Sequence, residues 1–274
     1  MKPFVVASIL ILSLAAPAVP RDAAPEPERI TVPLSDPSRP ATLKVSTLNG
    51  GITVEGYAGK EVVIVVAAGG EESDHHAHRR SAEGMRRIPN LGLGLSVDEE
   101  NNVVRVEGRR PGNEGSLLIQ VPAHSSLHLG SVNGGEIRVS GVEGEIELAH
   151  VNGGIAAREV AGSVTAHTTN GDIKVVLRRV GPDKAMAFST LNGDVDVTFP
   201  ADLKANVRVR SDRGEIYSDF EILTHGHAVT RETRKEGKHH IELEQEMQGT
   251  IGGGGPEILF KTFNGDIYIR RGRG

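Results

Sequence analysis

SVNGGEIRVSGVEGEIELAHVNGGIAAREVAGSVTAHTTNGDIKV, residues 131–175, decides the fold. Asn-Gly recurs in it at 133–134, 152–153 and 170–171, and each copy leads into apolar residues that alternate with polar ones: Ile137/Val139, Ile155/Ala157 and Ile173/Val175. Asn-Gly favours a turn because both residues tolerate positive φ. Period-two alternation describes a strand with one buried face. Half-repeats, GVEGEIEL (141–148) and EVAGSVTA (159–166), lie between the Asn-Gly copies. Gly134, Gly144, Gly153, Gly162 and Gly171 therefore follow one another at intervals of 10, 9, 9 and 9. A strand of about five residues plus a turn of about four fills such an interval.

The same unit recurs outside this stretch. It reads STLNGGITV at 46–54, STLNGDVDV at 189–197 and KTFNGDIYI at 261–269, with a degenerate copy, SDRGEIYS, at 211–218. The repeat turns are thus Asn49-Gly50, Asn133-Gly134, Asn152-Gly153, Asn170-Gly171, Asn192-Gly193 and Asn264-Gly265, with Arg213 in the degenerate slot. Like turns at one spacing favour an all-β solenoid, a β-helix-like stack of short strands in coils of about 20 residues, each about 4.8 Å from the last. Such a stack places Ile137, Ile155, Ile173 and Val195 above one another inside, in an aliphatic core, and lets asparagine side chains bridge successive coils. Short, even strands with glycine turns also suit an antiparallel sandwich or barrel. Burying one Val, Leu or Ile contributes roughly 1.5–3 kcal/mol, whereas ordering each residue costs about 1–2 kcal/mol. A coil with three or four inward aliphatics cannot stand alone, so one body is expected over 28–274.

Three regions break the period. Residues 69–90 are polar, with a short helix expected near Ser81–Ile88 ended by Pro89, and read as an insertion. Residues 91–129 carry three strand candidates without Asn-Gly: LGLSV (93–97), VVRVEG (103–108) and SLLIQVP (116–122). Residues 219–250 read as a second polar insertion, a hairpin turning at Lys235-Glu236-Gly237 before the final coil.

The N-terminus has the three-part layout of a secretory signal: the charge of Lys2, an apolar run over Phe4–Ala15, and the small-x-small pattern Ala16-Pro17-Ala18. Residues 1–18 are expected to be a signal peptide and 19–27 a disordered, Pro- and Ala-rich linker. The apolar run falls short of the roughly 20 residues that span a bilayer, and no membrane span is expected in the mature chain. The expected location is the periplasm or the extracellular space.

Composition removes other classes. With no cysteine among 274 residues, disulfide frameworks, thiolate zinc sites and cysteine nucleophiles are excluded. A net charge of −5 (31 basic against 36 acidic) disfavours a nucleic-acid partner.

Three segments resemble the bacterial putative-adhesin domain family, an exported domain of unknown function with a β-solenoid-like fold. LLIQVPAHSSLHLGSVNGGEIRVSGVEGEIEL (117–148) is similar to the family's entry into its regular coils. STLNGDVDVTFPADLKANVRVRSDRGEIYSDFEI (189–222) is similar to its later coils, and IGGGGPEILFKTFNGDIYIRRG (251–272) to its closing glycine loop and terminal coil. The resemblance covers most of 40–274 and is weakest across 69–115. It implies fold and envelope location and brings no catalytic residues.

Candidate chemistry is sparse. His75, His76 and His78 form a weak metal-binding candidate in the polar insertion, since imidazoles at close spacing suit Zn²⁺, Ni²⁺ or Cu²⁺. His225 and His227 would meet His239 and His240 only if the hairpin juxtaposed them. Asp172, Asp194 and Asp266 follow the turn glycines; the dense Ca²⁺-binding nonapeptide is absent, and the carboxylates are expected to cap turns. Gly252–Gly255 precedes Pro256 and a strand, so it reads as a turn and not a phosphate loop. No Gly-x-Ser-x-Gly elbow occurs, and nine aromatic residues with no tryptophan give little stacking capacity for sugars. The expectation is a non-enzymatic exported envelope protein without a cofactor, an adhesin or scaffold module with an envelope or surface partner, protein or glycan. The alternatives are a β-helix carbohydrate-active enzyme and an envelope stress sensor that binds a peptide or metal.

Overall fold

The computed structural model describes residues 28–67, 95–108, 116–182, 184–224, 229–235, 238–244 and 246–272. The signal segment, the linker, the whole of 69–90 and the expected helix within it lie outside the described residues. Those described contain 22 strands and no helix.

The regular coils occupy the middle of the stack. β8 (Ser125–Asn133), β10 (Glu143–Asn152), the second half of β11 (Ile155–His167) and β13 (Met186–Asn192) pair in parallel and form the first face, before the Asn-Gly turns. β9 (Ile137–Ser140), the first half of β11, β12 (Ile173–Val180) and β14 (Val195–Phe199) pair in parallel as the second face, after the turns. Parallel pairing of successive like strands is the signature of coils, because a hairpin meander would alternate direction. The chain is a β-solenoid. β11 serves both faces by bending at Glu159, which adopts φ 53° where the register shifts.

Period-two alternation becomes an interior and an exterior. Ile137, Ile155, Ile173 and Val195 lie in register and are fully buried. Val139, Ala157, Val175 and Val197 form the column beside them. The core is not purely aliphatic. Phe188, Phe199 and Phe260 are all fully buried, and their ring centroids lie 5.5–6.3 Å apart. An edge-to-face and stacked trio of this kind fills the core between the strands that carry it with large side chains.

Order in space departs from order in sequence at both ends. β2 (Ala41–Asn49) and β3 (Ile52–Tyr57) are sandwiched between the β8–β9 coil and the later β6 (Val103–Gly108) and β7 (Ser116–Pro122). At the other end β21 (Glu257–Asn264) and β22 (Ile267–Arg271) insert between β13–β14 and the earlier β15 (Ala205–Ser211) and β16 (Ile216–Ser218). The degenerate coil at 211–218, expected between Asn192 and Asn264, is instead outermost. A terminal repeat has no neighbour on one side, so it need not keep the consensus.

Antiparallel strands finish most edges. β5 (Leu95–Glu100) pairs with β6; β4 (Glu61–Ala67) pairs with β7 and carries β1 (Glu28–Pro33); β20 (Met247–Ile251) pairs with β15 and carries β17 (Leu223–Thr224). β18 (Val229–Lys235) and β19 (Lys238–Glu244) form a separate antiparallel hairpin, with Lys235 opposite Lys238.

Candidate interaction surface

The Asn-Gly corner carries four columns of like side chains. The innermost is two residues before each asparagine. Thr168, Thr190 and Thr262 are buried there, and each hydroxyl donates to a glycine carbonyl of the neighbouring coil: Gly153 at 2.9 Å, Gly171 at 3.0 Å and Gly193 at 3.0 Å. Ser131 and Ser211 make the same bond to Gly50 and Gly265, at 3.2 and 3.0 Å. A buried carbonyl without a partner costs about 1–3 kcal/mol, which explains hydroxyl residues at a position otherwise facing the core.

His150 occupies this slot in the β10 coil. It is 2% exposed, and neither ring nitrogen has a hydrogen-bond partner in good geometry. Its ring lies so close to Gly153 that a Cβ there would stand 2.5 Å from Nε2. Burial pushes the imidazole pKa below its usual value, and the nearby backbone of Gly135 and Gly134 opposes that shift.

The asparagines form the next column. All six stand in register, from Asn49 through Asn133, Asn152, Asn170 and Asn192 to Asn264. Nδ2 of Asn152, Asn170 and Asn192 donates to Oδ1 of the preceding asparagine at 2.8, 2.9 and 2.8 Å. A carboxamide carries both donor and acceptor, so it can continue such a chain. None of these asparagines has positive φ, contrary to the turn reading from sequence; Gly50, Gly134, Gly171, Gly193 and Gly265 take that role. At Gly193, φ is 146° and a Cβ would meet the Gly171 carbonyl oxygen at 2.2 Å, so the stacked turns leave room only for glycine.

Acidic residues form the third column. Asp172 Oδ1 accepts the Asp194 N–H at 3.0 Å, Asp194 Oδ1 that of Asp266 at 2.8 Å, and Asp266 Oδ1 that of Glu215 at 2.8 Å. The carboxylates therefore tie one coil to the next and do not cap their own turns. Among the described residues no group of three or more His, Asp or Glu side chains converges into a metal site. His75, His76, His78, His225 and His227 lie outside the described residues. His239 and His240 stand opposite Arg234 and Thr233 in the hairpin register.

The fourth column points to solvent. The residue before each asparagine is Leu48, Val132, Val151, Thr169, Leu191 or Phe263. Leu48, Val151, Leu191 and Phe263 are 51%, 39%, 47% and 40% exposed, half of the large apolar side chains exposed among the described residues. Five coil steps of about 4.8 Å make a ridge about 24 Å long. Arg213, in the degenerate asparagine slot, places its guanidinium 5.1 Å from the Phe263 ring centre and ends the ridge with a cation. Sequence reasoning missed both this ridge and His150. The signal was present as a column in the aligned repeats, but alternation alone marks the outer residue only as outward.

Two clefts, of about 510 and 600 Å³, flank Asp202–Lys204, and no residue of the ridge lines either one. Gly252–Gly254, at φ 60°, 88° and 88°, turn the chain between β20 and β21.

A family model described as Toastrack DUF4097 matches residues 29–252. One similar solved structure is described as a putative cell adhesion protein from Clostridium sporogenes ATCC 15579. It is 9% identical, the alignment covers 90% of this chain and 100% of the other, and the TM-score is 0.41. A second is described as a putative adhesin from Bacteroides fragilis NCTC 9343, with 12% identity, 90% and 98% coverage and a TM-score of 0.31. Likeness at this level carries no argument about activity or partner. No curated protein matches the chain.

Proposed function

The chain belongs to the Toastrack DUF4097 family, and on that premise we propose that it is an exported, non-enzymatic envelope module of the adhesin type. It binds a surface partner, protein or glycan, along the corner ridge. The single observation behind this reading is the ridge itself. Leu48, Val151, Leu191 and Phe263 stay exposed in a straight column, although the residues directly before the last three, His150, Thr190 and Thr262, are buried. A row of exposed apolar side chains along one surface, interrupted here by Thr169, marks a place that another surface covers. Its regular spacing suits an extended partner that meets one coil after another. The N-terminal Lys2, the apolar run over 4–15 and Ala16-Pro17-Ala18 support export.

The test is retention of the purified chain on cell-envelope preparations, with Leu48→Ser, Leu191→Ser and Phe263→Ser combined in one variant. These side chains do not line the core, so thermal melting should stay close to that of the parent. Retention should fall at least about tenfold, or about 1.4 kcal/mol. Undiminished retention would remove the ridge from the function. Export is tested by fractionating cells that express the chain with and without residues 1–18.

A further inference from the structure

The four outer edges of the stack are finished in two ways. On the first face the outermost strands are β5 and β17, reached through antiparallel pairing. On the second face one end closes with β4 and β1, again antiparallel. The other end stops at β16, a parallel coil strand whose outer edge pairs with nothing among the described residues. A bare parallel edge is a template for a further strand.

Three series of side chains also stop open at β16. Ile216 continues the core column above Ile267, yet it is 37% exposed where Ile267 is fully buried. Tyr217 stacks on Tyr268 at 5.1 Å and 9°, and is 46% exposed. The carboxylate-to-amide series reaches Glu215, which receives only the Tyr217 hydroxyl, at 2.7 Å, where Asp172, Asp194 and Asp266 each receive a backbone N–H from the next coil. The missing neighbour is therefore a parallel strand with an inward aliphatic residue above Ile216, an outward residue beside Tyr217 and a group that satisfies Glu215.

β1 has this pattern and an outer edge that pairs with nothing among the described residues. It runs antiparallel to β4, which runs antiparallel to β7, so β1 points in the coil direction. Ile30 and Val32 pack inward, whereas Arg29 and Thr31 are exposed. We propose that a second copy of this chain docks head to tail, with its β1 added in parallel to β16. Ile30 then extends the core column over Ile216, Thr31 lies beside Tyr217, and Arg29 neutralises Glu215. Pro33, which has no N–H, falls beside Asp219 and ends the added ladder there. The rival two-fold arrangement, β16 against β16, sets Glu215 opposite Asp219 of the other copy, a like-charge cross-strand pair. The head-to-tail contact does not close on itself, so it generates short linear arrays. It is independent of the ridge.

Light scattering of the purified chain over a concentration series should show mass that rises past the dimer. Glu215→Lys or Arg29→Glu alone should weaken association at least tenfold, and the two together should restore it. Because the chain has no cysteine, Thr31→Cys with Tyr217→Cys should give a reducible ladder of multimers on oxidation, which Thr31→Cys with Thr53→Cys should not. A chain that stays monomeric at about 1 mM, a ladder no stronger than the control, or failure of the charge swap to rescue would overturn the proposal. So would efficient dimer formation by Tyr217→Cys alone, which is the two-fold outcome.

Discussion

The coil at 189–197 and the coil at 211–218 share one pattern and differ in surroundings. Val195 is fully buried, between Ile173 and Ile267; Ile216, in the same column, is 37% exposed. Asn192 gives its amide to Asn170, whereas the matching Arg213 turns its guanidinium onto Phe263. Asp194 both gives an N–H to the coil before and accepts one from the coil after; Glu215 gives one to the coil before and its carboxylate takes none from a later coil. The consensus is thus a consequence of having neighbours on both sides. It decays where one side is missing, which is why the outermost coil in space is the degenerate one, although it is not the last in sequence.

The largest test of this contrast puts the same charge into both settings. Ile173→Asp buries a carboxylate in the middle of the column with no partner. Its cost, upwards of about 4 kcal/mol, is comparable to the whole stability of a domain, and the variant should show no cooperative melt. Ile216→Asp, at the open end, should cost under about 1 kcal/mol. Circular-dichroism melting of both decides the matter, and similar losses would mean that the column is not a continuous core.

A smaller effect separates the middle of the asparagine column from its end. Asn170 both donates to Asn152 and accepts from Asn192, at 2.9 and 2.8 Å. Asn170→Ala removes two exposed bonds, for a loss of about 1–2 kcal/mol. Asn264→Ala should lose less than half as much, because no side-chain bond joins Asn264 to Asn192. Equal shifts in melting temperature would show that the turn, not the column, is what asparagine serves.

Local chemistry made much of this legible in the sequence. Alternation placed Ile137, Ile155, Ile173 and Val195 inside, and the turn spacing supplied the coil. What sequence order concealed was the insertion of β2–β3 and β21–β22 between coils that are distant along the chain. Strand pairing depends on edge and register, and neither is written in periodicity. The three buried phenylalanines escaped notice for a related reason: Phe188, Phe199 and Phe260 belong to different strands and meet only through the stacking. Among the histidines, the cluster at 75–78 is conspicuous in the sequence, whereas the structurally singular one, His150, sits in a slot where every other coil has Ser or Thr.

That slot supplies the smallest and most specific test. Thr47, Ser131, Thr168, Thr190, Thr262 and Ser211 all bring a hydroxyl to the corner, and His150 brings an unpartnered imidazole. His150→Thr should gain roughly 1 kcal/mol at neutral pH and above, the worth of one buried hydrogen bond, or about 2–4 °C in melting temperature. The acid side sharpens the difference. With the folded pKa pushed below the unfolded value of 6.5, the unfolded chain binds the proton first as pH falls. Parent stability therefore drops below about pH 6.5, until the folded imidazole also protonates. The variant lacks this contribution, so its advantage should widen between about pH 7.5 and pH 5. The difference between parent and variant isolates His150 from every other titrating group. A constant difference across that range would mean that the ring finds water or a backbone acceptor and is no odd member of the column.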